Sequence, residues 1–208
     1  IASSASGMSA VAKCLRQTEM ELQRANEIDL QRVSLLARLG SGSACRSVYP
    51  VMAVWGKHAE WQGSSNEYAV CIQDEVHEVF HHFHDDILIV SDKEKSVSST
   101  AGHGLMDGNP YAESRYEQAN KHMSMLKPIL RSGDVESFGE LAELEALTLH
   151  ALMMSSNPSY ILMQPNTIEV IHKIRAFRAE SKIPVYFTLD AGPNVHILYP
   201  SSVKDQAQ

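Results

Sequence analysis

Two β-rich runs, Val185-Tyr186-Phe187-Thr188-Leu189 and Val195-His196-Ile197-Leu198-Tyr199, are separated by only Asp190, Ala191, Gly192, Pro193 and Asn194. A Gly-Pro-Asn turn between such runs predicts a β-hairpin. Asp190 then stands where a strand runs out, on a tight turn. That is an exposed acid on a rigid platform, a placement that suits catalysis. An Asp that opens a turn also commonly caps its own backbone, and on the hairpin alone the plainer role has the better claim.

Upstream of the hairpin the apolar residues recur mostly at helical spacing. Met8, Val11, Ala12, Leu15 and Met20 follow a Ser/Gly start and predict a first helix. Residues 26–39 predict a second, ended by Gly40-Ser41-Gly42-Ser43. A short helix over 44–48, a strand over 51–55 and a polar loop over 57–66 follow. Residues 69–72 and 87–90 read as short buried strands. Residues 96–109 are rich in Ser, Gly and Asp and mark a junction, dividing the chain into domains 1–97 and 98–208. Helices are expected over 110–130, with Pro110 suited to a first turn, over 135–154 and over 167–179. Strands, then helices, then a hairpin favour an α+β fold over a doubly wound sheet.

The 208 residues are 44% hydrophobic, enough for one large or two small cores. A formal net charge of -7 without a Lys/Arg tract argues against nucleic acid as a partner. A small anionic substrate remains compatible, because a few local cations and N–H groups can hold it. No apolar run approaches a membrane span, so no membrane partner is expected. Cys14, Cys45 and Cys71 are few and far apart, which suits a reducing, cytoplasmic compartment. Both ends read as cut, and the chain as part of a larger protein.

Several polar motifs stand out. Ser3, Ser4 and Ser6 fall at a helix start, where free N–H groups and the helix dipole would meet a phosphate, although serines also serve as ordinary caps. In Gly40-Ser41-Gly42-Ser43-Ala44-Cys45-Arg46-Ser47, glycines permit close backbone approach, and Arg46 can clamp a carboxylate or phosphate. Ser98, Ser99 and Thr100 offer further hydroxyls at the junction, where a plain linker is the simpler reading. His77, His81, His82 and His84, with Asp85 and Asp86, fit no closed zinc spacing and read as a solvated loop. His150 reads as a packing histidine, and Met123, Leu126, Ile129 and Leu130 as core. Cys45 has no nearby base to make it a nucleophile.

Taken in order, Ser-Ser-Ala-Ser-Gly, Gly-Ser-Gly-Ser-Ala-Cys-Arg-Ser, Val-Ser-Ser-Thr-Ala-Gly and Tyr-Phe-Thr-Leu-Asp-Ala-Gly-Pro-Asn resemble the mevalonate diphosphate decarboxylases of the GHMP kinase superfamily. The resemblance runs from Ile1 to about Pro200. It implies the GHMP kinase fold, with part of the N-terminal phosphate-loop domain and an incomplete C-terminal domain. It implies an enzyme that uses ATP and Mg²⁺ to convert mevalonate 5-diphosphate to isopentenyl diphosphate, ADP, phosphate and CO₂. Asp190 takes the place of the catalytic aspartate, and Arg46 that of the substrate-holding arginine. Ser41 and Ser43 match substrate-site serines, and Ser3 and Ser4 phosphate-loop serines, with Ser6 beside them. Ser98 and Ser99 fall near the substrate diphosphate, where Thr100 stands in place of an arginine found in some bacterial relatives. The metal ligands are not assigned, and a homodimer is implied. The family pattern also includes an N-terminal lysine-bearing segment that this sequence lacks. Three alternatives stand beside this reading: a related GHMP small-molecule kinase, a mevalonate monophosphate decarboxylase, and a non-catalytic binding protein on the same fold.

Overall fold

A computed structural model describes residues 3–23, 27–91, 104 and 106–207. They fall into two compact units, Ile1–Val76 and His77–Gln208.

The first unit is built on α1 (Ser3–Gln23) and α2 (Leu30–Gly40). Helix α2 starts later than residue 26 because Asp29 takes the cap, accepting the Arg32 N–H at 3.1 Å. Ala12, Val33, Ala37 and Ala44 form the core here, with Ala5, Ile28, Leu36 and Val48 packed around them. Small side chains let the two helices approach closely. A Cβ on Gly40 would fall 2.4 Å from the Met8 sulfur. Beyond α2 the chain winds into a 3₁₀ helix, Gly42–Val48. It continues into an antiparallel pair, β1 (Ala53–Trp55) and β2 (Ala69–Cys71), with Ala53 opposite Cys71 and Trp55 opposite Ala69. The strand expected over 51–55 loses its first two residues. Val51 has φ 57, outside the extended region.

The second unit is an antiparallel sheet of order β3-β5-β4 with three long helices. Strand β3 is Phe83–Leu88, β4 is Tyr186–Leu189 and β5 is Val195–Pro200. The hairpin is present as expected, and Leu189 pairs with Val195. The strand expected over 87–90 begins earlier, because residues from Phe83 to Leu88 pair along the whole of β5. The segment from His77 therefore belongs with the second unit, some twenty residues ahead of the 97/98 division read from composition. The histidine-rich run is no loop. His77 caps a 3₁₀ helix, Glu78–His82, by accepting the Val79 N–H at 3.2 Å. His84 lies in β3, stacked on Tyr199 with ring centroids 5.0 Å apart.

Helices α3 (Ala112–Ser132), α4 (Val135–Met154) and α5 (Pro165–Ser181) match the expected ones to within about two residues. Only Gly133, in the left-handed conformation, and Asp134, the cap of α4, separate α3 from α4. Helix α4 packs on β4, and α5 on β4 and β5. The core is Ala146, Ile171, Ile174, Val185, Phe187, Leu189, Val195 and Tyr199. The stripe expected to be core is only partly so: Leu130 is buried, while Met123 and Leu126 line a cleft between α3 and α4.

One buried ion-pair network ties α4, α5 and the start of β4. Glu143 is only 4% exposed. It receives Arg178 Nη1 at 2.7 Å and Arg175 Nε at 3.2 Å. Arg178 also donates to the Val185 carbonyl at 2.7 Å and lies 4.5 Å above the Tyr186 ring. Removing the acid leaves a poorly solvated guanidinium without its counter-charge. Glu143→Ala is expected to cost about 3–5 kcal/mol of unfolding free energy, read by urea denaturation. A loss under about 1 kcal/mol would place the network with ordinary surface pairs.

Candidate active site

Each unit carries part of the residue set read from the sequence. In the first unit, α1 opens at Ser3, with Ser4 and Ser6 exposed in its first turns. No acidic residue occupies that first turn, so nothing there opposes an anion at the positive end of the helix. Helix α1 also packs against the Gly42–Val48 turn, with Ala5 against the core cluster that includes Ala44.

The second motif is a half-buried turn with its chemistry on the outside. Ala44 and Cys45 are fully buried, while Ser43 and Arg46 are exposed. Ser41 ends α2 with its N–H on the Ala37 carbonyl at 3.0 Å and accepts the Ala44 N–H at 2.9 Å. Ser34 holds the turn from beneath. Its hydroxyl donates to the Cys45 carbonyl at 2.9 Å and accepts the Ala69 N–H at 2.9 Å, joining α2, the turn and β2. Burial pushes the Cys45 thiol pKa up, against the opposing pull of the Arg46 charge, so Cys45 is packing, not a nucleophile. Trp55 roofs the turn. A Cβ on Gly42 would sit 3.1 Å from its ring, and the Arg46 guanidinium lies 5.8 Å from the ring centroid. The indole face thus supports the cation without consuming its hydrogen-bond donors.

In the second unit the carboxylate-bearing residue Asp190 is exposed, directly after β4. The turn that carries it is fixed by side chains from three directions. His150, from α4, lies 3.0 Å through Nε2 from the Asp190 carbonyl, which also accepts the Gly192 N–H at 2.8 Å. Thr167, in the first turn of α5, donates to the Pro193 carbonyl at 2.7 Å and accepts the Gln164 N–H at 3.1 Å. Asn194 Oδ1 accepts the N–H groups of Val90 and Ser91 at 2.9 and 3.1 Å. Burial drives the His150 pKa down, against the pull of the Asp190 carbonyl and charge, and keeps the imidazole neutral. The outcome is a carboxylate able to take a proton or face a developing positive charge, on a backbone with little freedom to move.

Ser98, Ser99 and Thr100 lie outside the described residues. Ser34, Trp55 and Thr167 were not singled out from the sequence, and His150 was read only as packing. Thr167 sits at an expected helix start, a signal for capping. Nothing in the spacing shows that His150 meets a residue 40 positions away.

Comparisons with known proteins identify the family and the fold. Residues 86–207 match the model for the mevalonate 5-diphosphate decarboxylase C-terminal domain. Residues 1–68 match the diphosphomevalonate decarboxylase-like N-terminal domain. The chain is 30% identical over 198 residues to a phosphomevalonate decarboxylase of Haloferax volcanii, covering 94% of this chain and 56% of that protein. It superimposes on mevalonate diphosphate decarboxylase from Staphylococcus aureus with TM-score 0.84 at 30% identity, over 99% of this chain and 59% of that one. A solved complex of MDDEF with MVAPP, AMPPCP and magnesium is similar at 28% identity and TM-score 0.82, over 100% of this chain and 60% of that one. The chain spans about half the length of the curated relatives it matches.

Ser34→Ala leaves the Ala69 N–H and the Cys45 carbonyl without their buried partner. It is expected to cost about 1–3 kcal/mol and to speed hydrogen exchange at the Ala69 amide. Unchanged protection there would show that Ser34 does not anchor the turn.

Proposed function

This chain belongs to the mevalonate 5-diphosphate decarboxylase family, and from that premise we propose that the intact protein uses ATP to convert mevalonate 5-diphosphate to isopentenyl diphosphate, releasing ADP, phosphate and CO₂. The observation that carries the proposal is the Asp190 turn: an exposed carboxylate whose backbone is held by His150, Thr167 and Asn194. A tertiary alcohol is a crowded, poor nucleophile. It needs a fixed base to take its proton and a geometry in line with the γ-phosphate. Asp190 is suited to both tasks. As the new phosphate leaves with its bonding electrons, the negative charge of Asp190 would face the carbon that becomes electron-poor, until the C–C bonding pair released with CO₂ neutralises it.

Arg46 is proposed to hold the substrate carboxylate, with Ser41 and Ser43 as further hydroxyl partners. The Trp55 ring sets the level at which the guanidinium lies. Ser3, Ser4 and Ser6 are proposed to meet nucleotide phosphates at the start of α1, and Ser98 and Ser99 to bind near the substrate diphosphate. Among the described residues no three His, Cys, Asp or Glu side chains cluster as a metal cage. A serine hydroxyl at the helix start would offer Mg²⁺ an oxygen donor of the kind it prefers. When bound, the metal neutralises phosphate charge. A cytoplasmic setting and a homodimeric assembly belong to the same proposal. No described helix is long and apolar enough to cross a membrane.

A second reading, a decarboxylase of the monophosphate, is favoured by one observation: the Haloferax volcanii relative is a phosphomevalonate decarboxylase. A coupled assay of the intact protein with the diphosphate and the monophosphate side by side separates the two. The diphosphate is expected to give the higher kcat/KM, with CO₂ and ADP in equal amounts. A preference for the monophosphate would select the second reading. ADP without CO₂ would mark a kinase, and nucleotide binding without turnover a binding protein.

Asp190→Asn is expected to keep substrate affinity while turnover falls by about three to four orders of magnitude, the scale of a lost general base with its charge. Turnover near wild type would remove Asp190 from the chemistry. Arg46→Lys is expected to raise KM for the substrate, since an ammonium cannot make the paired hydrogen bonds of a guanidinium. Unchanged kinetics would rule out the clamp.

A further inference from the structure

We infer that His150 is a positioning residue for the reaction, setting the place of the Asp190 carboxylate through a hydrogen bond to the Asp190 backbone. The inference rests on the reading of Asp190 as the catalytic acid–base group.

Three observations carry it. The first is location. The β4–β5 ladder ends at Leu189 opposite Val195, so the Asp190 carbonyl is beyond the sheet's own hydrogen bonds. Its near side is held from α4 by His150, while Thr167 and Asn194 act on the far side, at Pro193 and beyond.

The second is the choice of residue. His150 is 1% exposed, on a stretch of α4 whose other buried members are Ala146, Leu152 and Met153. A leucine or phenylalanine could fill such a site without placing a polar ring out of water. The polar ring is productive only where its N–H finds an acceptor, and that acceptor is the Asp190 carbonyl. A carbonyl accepts, so Nε2 carries the proton and Nδ1 the lone pair in the neutral ring.

The third is selectivity of contact. The bond falls on the backbone and leaves the carboxylate exposed. His150 therefore restrains where the acid sits by way of the main chain. A displacement of about 1 Å at such a group can cost about 100-fold in rate.

The test uses the intact protein and two substitutions. His150→Phe keeps a ring of similar volume without a donor. His150→Gln places an amide N–H near the Nε2 position. With mevalonate 5-diphosphate and ATP, His150→Phe is expected to lower kcat by about 10- to 100-fold, with KM for both substrates within about twofold. His150→Gln is expected to recover most of that loss. A purely structural role would lower thermal stability in both variants without this split between kcat and KM. The inference is overturned if folded His150→Phe turns over like wild type, or if His150→Gln loses as much as His150→Phe.

Should His150→Phe not fold, ¹⁵N NMR of the wild-type imidazole decides. A neutral, Nε2-protonated ring supports the inference, and an Nδ1-protonated ring overturns it. Asp190→Asn in the same assay separates the two levels. If it is inactive while His150→Phe is not, the positioning inference alone fails. If it is active, both readings fail.

Discussion

The hydrogen bonds on the turn from Asp190 to Asn194 are the constraint on which the candidate chemistry depends. A strand end is ordinarily a place where backbone groups turn to water and conformations multiply. Here the Asp190 and Pro193 carbonyls each receive a side-chain donor, and the Asn194 side chain receives two amides from the end of the β3 segment. Two of the donors, His150 and Thr167, are polar residues at 1% and 0% exposure. Buried polar groups are costly unless paired. Their pairing with this one turn explains why they are tolerated inside an otherwise apolar layer.

The first unit solves the same problem with different parts. Its Ser-Gly-Ser-Ala-Cys-Arg segment has no ladder of its own, being a 3₁₀ turn between a helix and a short strand. Ser34 supplies both a donor and an acceptor from below, and Trp55 covers it from above. In both units a helix-borne polar side chain, itself buried, fixes a backbone whose own reactive side chains are exposed. Rigidity and accessibility are thereby assigned to different atoms of the same segment.

The helices and the hairpin were legible because their signals are local. The period of α4 and α5 and the Gly-Pro-Asn reversal act within a few residues, and the observed bounds lie close to those expected. The start of β3 was not legible. Phe83, His84, Asp85 and Asp86 carry no alternating pattern that marks a strand, and their state is decided by β5, more than a hundred residues on. The unit boundary moved for the same reason, since composition cannot show which sheet a strand will join. Of the candidate site, the residues proposed to carry the chemistry stand out in the sequence by type and order. The residues that hold them in place do not, because Ser34, His150 and Thr167 act through contacts at long separation.

The sheet order itself has a consequence for how the chain acquires its structure. Strand β5 is central, with β4 as a local hairpin partner and β3 as a remote one. Val90 and Asn194, bonded at the end of the β3–β5 seam, are 104 positions apart. Closing so long a loop is entropically slow, whereas the hairpin and the three helices can form from near neighbours. During synthesis β3 leaves the ribosome long before its mate exists, as an open hydrogen-bonding edge. Asp85 and Asp86, in the middle of that strand, place like charges on it during the wait and so discourage its pairing with a second copy of itself.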